Sequence, residues 1–297
     1  MNDNERNLLR TVAEGDIRKA QDAARVILNG ITAQKDQMFK TNLLRKLDAR
    51  PANFIELPYN LRDLLIAEDV SDYPTGKLLM RDAELYVADR VLSVYRVSLR
   101  LQELSIHYPA AALFHGPSGT GKTELARYVA HKANLPFVYV RFSSLLNSLL
   151  GGTQSNLSKV FAFARTSPCV LCFDEIDAIG MKRGDSQDVT EMARVTIALM
   201  SELDLLPNNV IIIGTTNRFD RLDPALARRF PIKHMIAPFS FAEAMNLAEK
   251  FFLHADMLPS RGEFSSWCEE NLEDNMPVAA IVNVCTEKLV SDLCKEV

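Results

Sequence analysis

The sequence predicts an α/β protein in which a parallel β-sheet is flanked by helices. Beyond residue 108, short apolar runs alternate with helical patterns, and this alternation is typical of parallel strands that helices cover. The chain has 297 residues, of which 47% are hydrophobic, so it can bury a sizeable core. The predicted strands are residues 110–114, 136–142, 169–173, 210–215 and 233–236.

The segment before the strands has helical patterns. Residues 1–56 are predicted to form a small N-terminal helical region, with an apolar stripe between Ile17 and Leu28. After a break at residues 72–76, a long helix is predicted. Its apolar face comprises Leu85, Ala88, Leu92, Tyr95 and Leu99.

The segment after the strands is also helical. The strands stop at Pro238, and helical patterns over residues 241–255 and 277–290 predict a C-terminal helical lid formed by residues 239–297. The α/β region is then residues 57–238, and we expect it to hold the chemistry.

Composition and charge exclude several classes of protein. The net charge of −4 disfavours a general nucleic-acid binder. No apolar run approaches the ~18 residues that a membrane span needs. The odd number of cysteines, five, indicates free thiols in a reducing compartment, and the polar start MNDNERN lacks the hydrophobic region of a signal peptide. We therefore expect a cytoplasmic protein that does not bind membranes.

The first predicted strand ends in GPSGTGKT, which satisfies the pattern G-x-x-x-x-G-K-[ST] of a phosphate-binding P-loop between a strand and a helix. Its glycines let backbone N–H groups face phosphates at a helix N-terminus. Lys122 would neutralise phosphate charge, and Thr123 would reach Mg²⁺. The candidate phosphate-binding residues are Gly116, Pro117, Ser118, Gly119, Thr120, Gly121, Lys122 and Thr123.

The stretch CVLCFDEID at residues 169–177 supplies the acids that a P-loop needs. Asp174, just past a strand, is predicted to hold the metal, and Glu175 to act as the general base for an attacking water. Cys169 and Cys172 are expected to be buried hydrophobic residues, because side chains three apart on a strand point to opposite faces and cannot share a metal. Asp177 is expected to cap the turn that follows.

Together, GPSGTGKT, VLCFDEID and VIIIGTTNRFDRLDPALARRF resemble the AAA+ ATPases, in particular the classical, protein-remodelling clade. The resemblance covers residues 57–297 and implies a P-loop NTPase fold that binds ATP with Mg²⁺. It implies that Asn217 orients the attacking water and that Arg228 and Arg229 reach the nucleotide of a neighbouring subunit. ALARRF lacks the Pro-Gly insertion that many relatives have between the two arginines. We favour Arg229 as the arginine finger, the residue that reaches the neighbour's γ-phosphate, with Arg228 as its helper.

A GTPase is an alternative, since Asp177 to Gly180 fits Asp-x-x-Gly and residues 217–220 resemble the base-reading Asn-Lys-x-Asp. The strand-ending acid is, however, Asp174, whose third follower is an aspartate, and Arg218 stands where lysine is expected. The ATPase therefore remains the better interpretation.

The resemblance also bears on what the ATPase acts upon. FSSLLNSLLGGTQSNLSKVF resembles a pore loop, with Leu149, Leu150 and Gly151 at the motif and Leu149 in place of the usual aromatic residue. MPVAAIVNVC resembles the lid motif but lacks the sensor 2 arginine that DNA-associated branches commonly keep. Remodelling or unfolding of a protein by a homo-hexamer is the favoured function.

The sequence also allows other functions. One is an ATP-dependent switch or scaffold that recruits a partner through its N-terminal helices, and a less favoured one is a nucleic-acid motor or loader. A partner protein such as a protease or a HORMA-domain protein is typical of the family. The sequence carries no His-Glu-x-x-His protease motif of its own.

Overall fold

A computed structural model describes residues 3–13, 17–30, 38, 40–41, 43, 55, 57–73, 79–146, 152–179, 189–207 and 210–294. The chain divides into two compact units, Met1–Ile55 and Glu56–Val297. In the first unit, helices α1 (Asp3–Ala13) and α2 (Ile17–Asn29) pack against each other, and Ala23 and Leu28 are buried.

The second unit contains a six-stranded sheet with the order β1-β3-β4-β5-β2-β6. The strands are β1 (Leu65–Glu68), β2 (Ala110–His115), β3 (Phe137–Val140), β4 (Val170–Phe173), β5 (Ile211–Thr216) and β6 (Ile232–Met235). Strands β2 to β6 pair in parallel and correspond to the five predicted strands.

Strand β1 was not predicted, and it pairs antiparallel with β3 at the edge of the sheet. It escapes sequence reasoning because it has four residues, of which only Leu65 is buried. Arg127 ties this edge to the helix after the P-loop, since its Nε donates to Glu68 Oε2 at 2.7 Å. The sheet is therefore parallel except at this edge.

Helices cover the sheet as predicted: α3 (Asp82–Arg96), α4 (Ser98–Glu103), α5 (Lys122–Ala133), α6 (Phe142–Leu146), α7 (Gly152–Thr166), α8 (Val189–Asp204) and α9 (Pro224–Ala227). The predicted long helix is interrupted at Val97, which separates α3 from α4. As a result Ala88 and Leu92 are buried, but Leu99 is 66% exposed, and its assignment to the buried face was wrong.

The central strands β2, β4 and β5 are almost completely buried, as strands with helices on both faces should be. Cys169 and Cys172 lie in this core as free thiols, which confirms that they are buried hydrophobic residues. The parallel pairing brings the carboxyl ends of β2, β4 and β5 to one edge of the sheet. The P-loop, the two acids and Asn217 all follow these ends.

The C-terminal segment forms three helices, α10 (Phe241–His254), α11 (Arg261–Asn271) and α12 (Val278–Leu293). They enclose a small core of their own, in which Trp267 meets Phe252 edge-on at a centroid distance of 5.2 Å. Helix α11 was not predicted, because Cys268 is its only fully buried residue and its apolar periodicity is weak. No helix in the described part of the chain is long and apolar enough to cross a membrane.

The burial of the thiols predicts their reactivity. Burial raises the pKa of Cys169 to about 12, whereas Cys294 is exposed. We expect a thiol reagent at neutral pH to modify one cysteine per native chain quickly, and all five after denaturation. Absorbance titration measures this, and Cys294→Ser should abolish the fast phase. Fast modification that survives this substitution would contradict the core assignment.

Candidate nucleotide site

The loop between β2 and α5 has the backbone conformation that phosphate binding requires. Gly116 and Gly119 have φ of 142° and 74°, which residues with a side chain rarely adopt. A Cβ on Gly116 would lie 2.2 Å from the carbonyl oxygen of Ile236, so no other residue fits there. The loop leads directly into the N-terminus of α5, where unpaired N–H groups favour an anion.

Lys122 places its charge beneath this loop. Its Nζ donates to the carbonyl oxygens of Gly116 at 2.9 Å and Pro117 at 2.6 Å, and the residue is 7% exposed. Burial lowers the pKa of Lys122, while the carboxylates of Asp174 and Glu175 oppose this shift. The loop carbonyls thus hold the ammonium group next to the place where phosphates would bind.

The predicted metal residues Thr123 and Asp174 meet across the sheet edge. Thr123 Oγ1 lies 3.3 Å from each carboxylate oxygen of Asp174. Asp174 also accepts a hydrogen bond from Thr215 Oγ1 on β5. A hydroxyl and a carboxylate at this spacing are hard oxygen donors of the kind that Mg²⁺ prefers.

Glu175 occupies an unusual backbone conformation for a residue with a side chain, with φ 53° and ψ 45°. Its N–H donates to Thr215 Oγ1 at 3.2 Å, and its side chain is exposed and lines the cavity described below. A left-handed residue of this kind costs roughly 1–3 kcal/mol, which the surrounding contacts offset. The carboxylate of Asp177, which was expected to cap the following turn, accepts from Thr216 Oγ1 at 2.6 Å and makes no capping hydrogen bond with the described residues.

Asn217 follows β5 and lines the same cavity. Its Oδ1 is buried and has no hydrogen-bond partner among the described residues. A buried amide oxygen without a partner is costly, so this atom is ready to accept from a ligand or a water. Asp174 and Glu175 line the same cavity, and the role that the family resemblance implies for Asn217 stays a prediction.

The two arginines differ in their surroundings. Arg229 is held within its own chain: its Nε and Nη2 donate to Asp204 at 3.0 and 2.8 Å, and its Nη1 donates to the carbonyl oxygen of Ala225 at 2.8 Å. The Arg228 side chain is exposed and forms no hydrogen bond or ion pair with the described part of the chain. The geometry therefore favours Arg228, the expected helper, as the freer of the two.

The loop and the acids line one cavity of about 660 Å³ between the α/β core and the lid. The lining of this cavity also includes many apolar side chains, and such a surface suits a flat heterocyclic base. The backbone N–H of Ala279 in α12 donates to the Gly119 carbonyl oxygen at 3.0 Å, so the lid contacts the P-loop. The apolar lining discussed below includes Leu79, Met80, Phe239, Leu247, Phe251, Val278 and Val282.

Sequence reasoning missed this apolar lining because its residues come from three separate segments, although Val278 and Val282 lie in the quoted stretch MPVAAIVNVC. It also missed Thr215, although a threonine pair directly before Asn217 could have indicated polar contacts at the strand end. Leu149, Leu150 and Gly151, the candidate pore loop, lie outside the described residues.

The cavity also bears on the GTPase alternative. A base-reading motif would place its final aspartate at the base, but residues 218–220 do not line the cavity. Phe219 instead stacks on His115 at 4.3 Å. Asn217 lines the cavity together with the acids, so the structure gives no support to a base-reading role for the 217–220 stretch.

The close approach at Gly116 yields a stability prediction. Gly116→Ala should lower the free energy of unfolding by about 2–4 kcal/mol, because the added Cβ meets backbone rather than a flexible side chain. Urea denaturation measures the change. Gly262→Ala is the matched control, since a Cβ there meets nothing within 4 Å in helix α11, and it should be neutral or slightly stabilising. Equal losses in both variants would contradict the close approach.

Comparison with known proteins agrees with this geometry. A sequence model of the ATPase family associated with various cellular activities (AAA) matches residues 112–237, which include the P-loop, both acids, Asn217 and both arginines. The peroxisomal ATPase pex6 of Schizosaccharomyces pombe is 46% identical over 125 residues, which are 40% of this chain and 13% of that protein.

Two further relatives extend over more of the chain. The cell division cycle protein 48 homolog of Archaeoglobus fulgidus is 31% identical over 216 residues, 70% of this chain and 29% of the relative. An uncharacterized AAA family ATPase, y4kL, of Sinorhizobium fredii is 30% identical over 216 residues, covering 70% of this chain and 66% of the relative. The chain spans only about an eighth of the length of the peroxisomal relatives. With this cavity and these similarities, the chain belongs to the AAA family of ATPases.

Proposed function

We propose that the protein hydrolyses ATP in the presence of Mg²⁺ and uses the energy to remodel or unfold a protein client. The observation that carries this proposal is that the P-loop, the Thr123–Asp174 pair and Glu175 line one cavity together with a set of apolar side chains. A nucleoside triphosphate has matching parts, a flat base and three charged phosphates.

The phosphate end supplies positive charge and N–H donors. The loop amides and the N-terminus of α5 would bind the β- and γ-phosphates, and Lys122 would exchange a loop carbonyl for a phosphate oxygen. The apolar residues of the lid and of the segment before α3 would enclose the base. A bound nucleotide would then contact both the lid and the core.

The residues present fit a magnesium ion. In the described part of the chain, no three or more acidic, histidine or cysteine side chains are grouped so that they could hold a metal ion by themselves. This is compatible with Mg²⁺, which usually takes one or two protein ligands beside phosphates and water. Thr123 and Asp174 would hold it. When bound, the ion would neutralise negative charge that develops on the phosphates during cleavage.

Hydrolysis needs a base and an aligned water. Glu175 would accept a proton as the water oxygen bonds to the γ-phosphorus and the bond to the β-phosphate oxygen breaks, giving ADP and inorganic phosphate. Asn217 Oδ1, buried and without a partner among the described residues, would accept a hydrogen bond from this water. The left-handed conformation at Glu175 points the carboxylate towards the cavity.

The arginines would complete the site of a neighbouring subunit in a ring, for which we propose a homo-hexamer. Arg228, whose side chain is exposed and forms no hydrogen bond or ion pair with the described residues, is the better candidate to reach a neighbour's γ-phosphate. Arg229, anchored to Asp204, would act beside it. The sequence favoured Arg229 as the arginine finger. We reverse this assignment because an arginine finger has to extend into the site of the neighbouring subunit.

The lid offers a route from hydrolysis to mechanical work. Because Ala279 bonds to the P-loop and Val278 and Val282 line the cavity, loss of the γ-phosphate would change how the lid rests on the core. Two relatives are named as a peroxisomal ATPase and a cell division cycle protein, and neither name implies a nucleic-acid substrate. We therefore propose a protein client, with the N-terminal helices as a second place of attachment.

Glu175→Gln should bind ATP with unchanged affinity but lose hydrolysis by a factor of about 10² to 10⁴, because the amide cannot accept the proton. Phosphate release and fluorescent-nucleotide binding measure the two effects. Asp177→Asn is the matched control, since its side chain does not line the cavity and asparagine can still accept from Thr216. Normal turnover by Glu175→Gln would exclude Glu175 as the base.

Arg228→Ala should lower hydrolysis by about 10³-fold or more, as loss of an arginine finger does in related enzymes. Mixing this variant with Lys122→Ala subunits should restore part of the activity, because some interfaces then combine an intact P-loop with an intact finger. Steady-state hydrolysis across mixing ratios tests this, with Arg229→Ala in parallel. If no ratio restores activity, the arginines do not act between subunits.

A further inference from the structure

We propose that Thr215 is a positioning residue that fixes the metal-binding carboxylate of Asp174 and the turn at Glu175 together, and so sets the affinity of the site for the divalent cation. The proposal rests on the function proposed above. Thr215 is the second-last residue of β5. Neither the sequence motifs nor the family match singles it out.

The sheet register places Thr215 beside the acids. Strands β4 and β5 are parallel neighbours, and Phe173 pairs with Gly214. The next residue on each strand is therefore Asp174 and Thr215. Thr215 has no exposed surface, so water does not compete for its hydroxyl group.

The Thr215 hydroxyl group acts both as a donor and as an acceptor towards Asp174 and Glu175. It donates its single proton to Asp174 Oδ1, and it accepts the N–H of Glu175 at 3.2 Å. A threonine hydroxyl has one proton to give, so the direction of both bonds is settled. One side chain thereby contacts the metal-binding acid and the backbone of the base.

These contacts address two separate problems of the site. The terminal torsion of an aspartate is broad, so Asp174 could rotate and turn its oxygens away from Thr123. A hydrogen bond from Thr215 on one side, with Thr123 on the other, restricts that rotation. The bond from Glu175 N–H also supports a residue with φ 53° that would otherwise be strained.

The neighbouring Thr216 shows that burial alone does not give this role. It is equally buried, but its hydroxyl donates to Asp177 Oδ1 at 2.6 Å and accepts from the Arg218 N–H at 2.9 Å. Asp177 does not line the cavity. Of these two adjacent hydroxyl groups, Thr215 is the one that reaches the metal-binding acid.

The test compares Thr215→Val, which removes the hydroxyl, with Thr215→Ser, which keeps it. Thr196→Val is the control, because Thr196 is also buried and donates to a backbone oxygen, that of Ile179, at 2.6 Å. Mn²⁺ is titrated into full-length protein carrying an equimolar non-hydrolysable ATP analogue, and free Mn²⁺ is followed by electron paramagnetic resonance. Nucleotide affinity is measured separately in EDTA.

We expect Thr215→Val to bind Mn²⁺ about tenfold more weakly, since hydrogen bonds to charged groups are among the stronger ones. Its nucleotide affinity in EDTA should stay within about twofold of the wild type, and Thr215→Ser should stay within about threefold for Mn²⁺. Thr196→Val should leave both affinities unchanged. Thr215→Ala takes the place of the valine variant if circular dichroism shows that the latter is unfolded.

Three results would overturn the proposal: wild-type Mn²⁺ affinity in a folded variant without the hydroxyl, an equal loss of nucleotide affinity in EDTA, or no rescue by serine. A wild-type protein that binds no nucleotide would overturn the proposed function as well. Metal-dependent binding by the wild type together with an unaffected Thr215→Val would remove only the role of Thr215.

Discussion

The parallel pairing of β2, β5 and β4 is the constraint on which the candidate site depends. His115 pairs with Thr216 and Phe173 pairs with Gly214, so three strands end at nearly the same height. Each end leads directly into a functional segment: the P-loop, the acidic pair, or Asn217. Because these strands are buried on both faces, a register shift would expose apolar core as well as separate the functional groups.

Threonine hydroxyl groups at this shared edge hold two acidic side chains in position. Thr123 and Thr215 approach Asp174 from the helix and from the neighbouring strand, and Thr216 engages Asp177. The carboxylate of Glu175 forms no hydrogen bond with the described residues and lines the cavity. The protein thus fixes the acid that would hold a metal and leaves accessible the acid that would accept a proton.

The fold class and the phosphate-binding motif could be predicted because their signals are local. Buried strands such as β5 appear as apolar runs, and GPSGTGKT carries its geometry in its glycines. Strand β1 could not be predicted, since one buried residue in four leaves no pattern. The apolar lining was missed because Leu79, Phe239 and Val278 meet only after the lid folds over the core. The assignment between Arg228 and Arg229 depended on Asp204, which lies twenty-five positions before Arg229 and forms an ion pair with it. The hexamer, the protein client, the domain boundaries and the cytoplasmic location stay predictions.

The most direct measurement of the central claim is a crystal structure of the Glu175→Gln variant with ATP and Mg²⁺. The account predicts the triphosphate along residues 116–123, Lys122 on a phosphate oxygen, the ion beside Thr123 and Asp174, and the base between Leu79 and Val278. A nucleotide bound elsewhere, or a bound triphosphate with Asp174 and residue 175 facing away from it, would contradict the account.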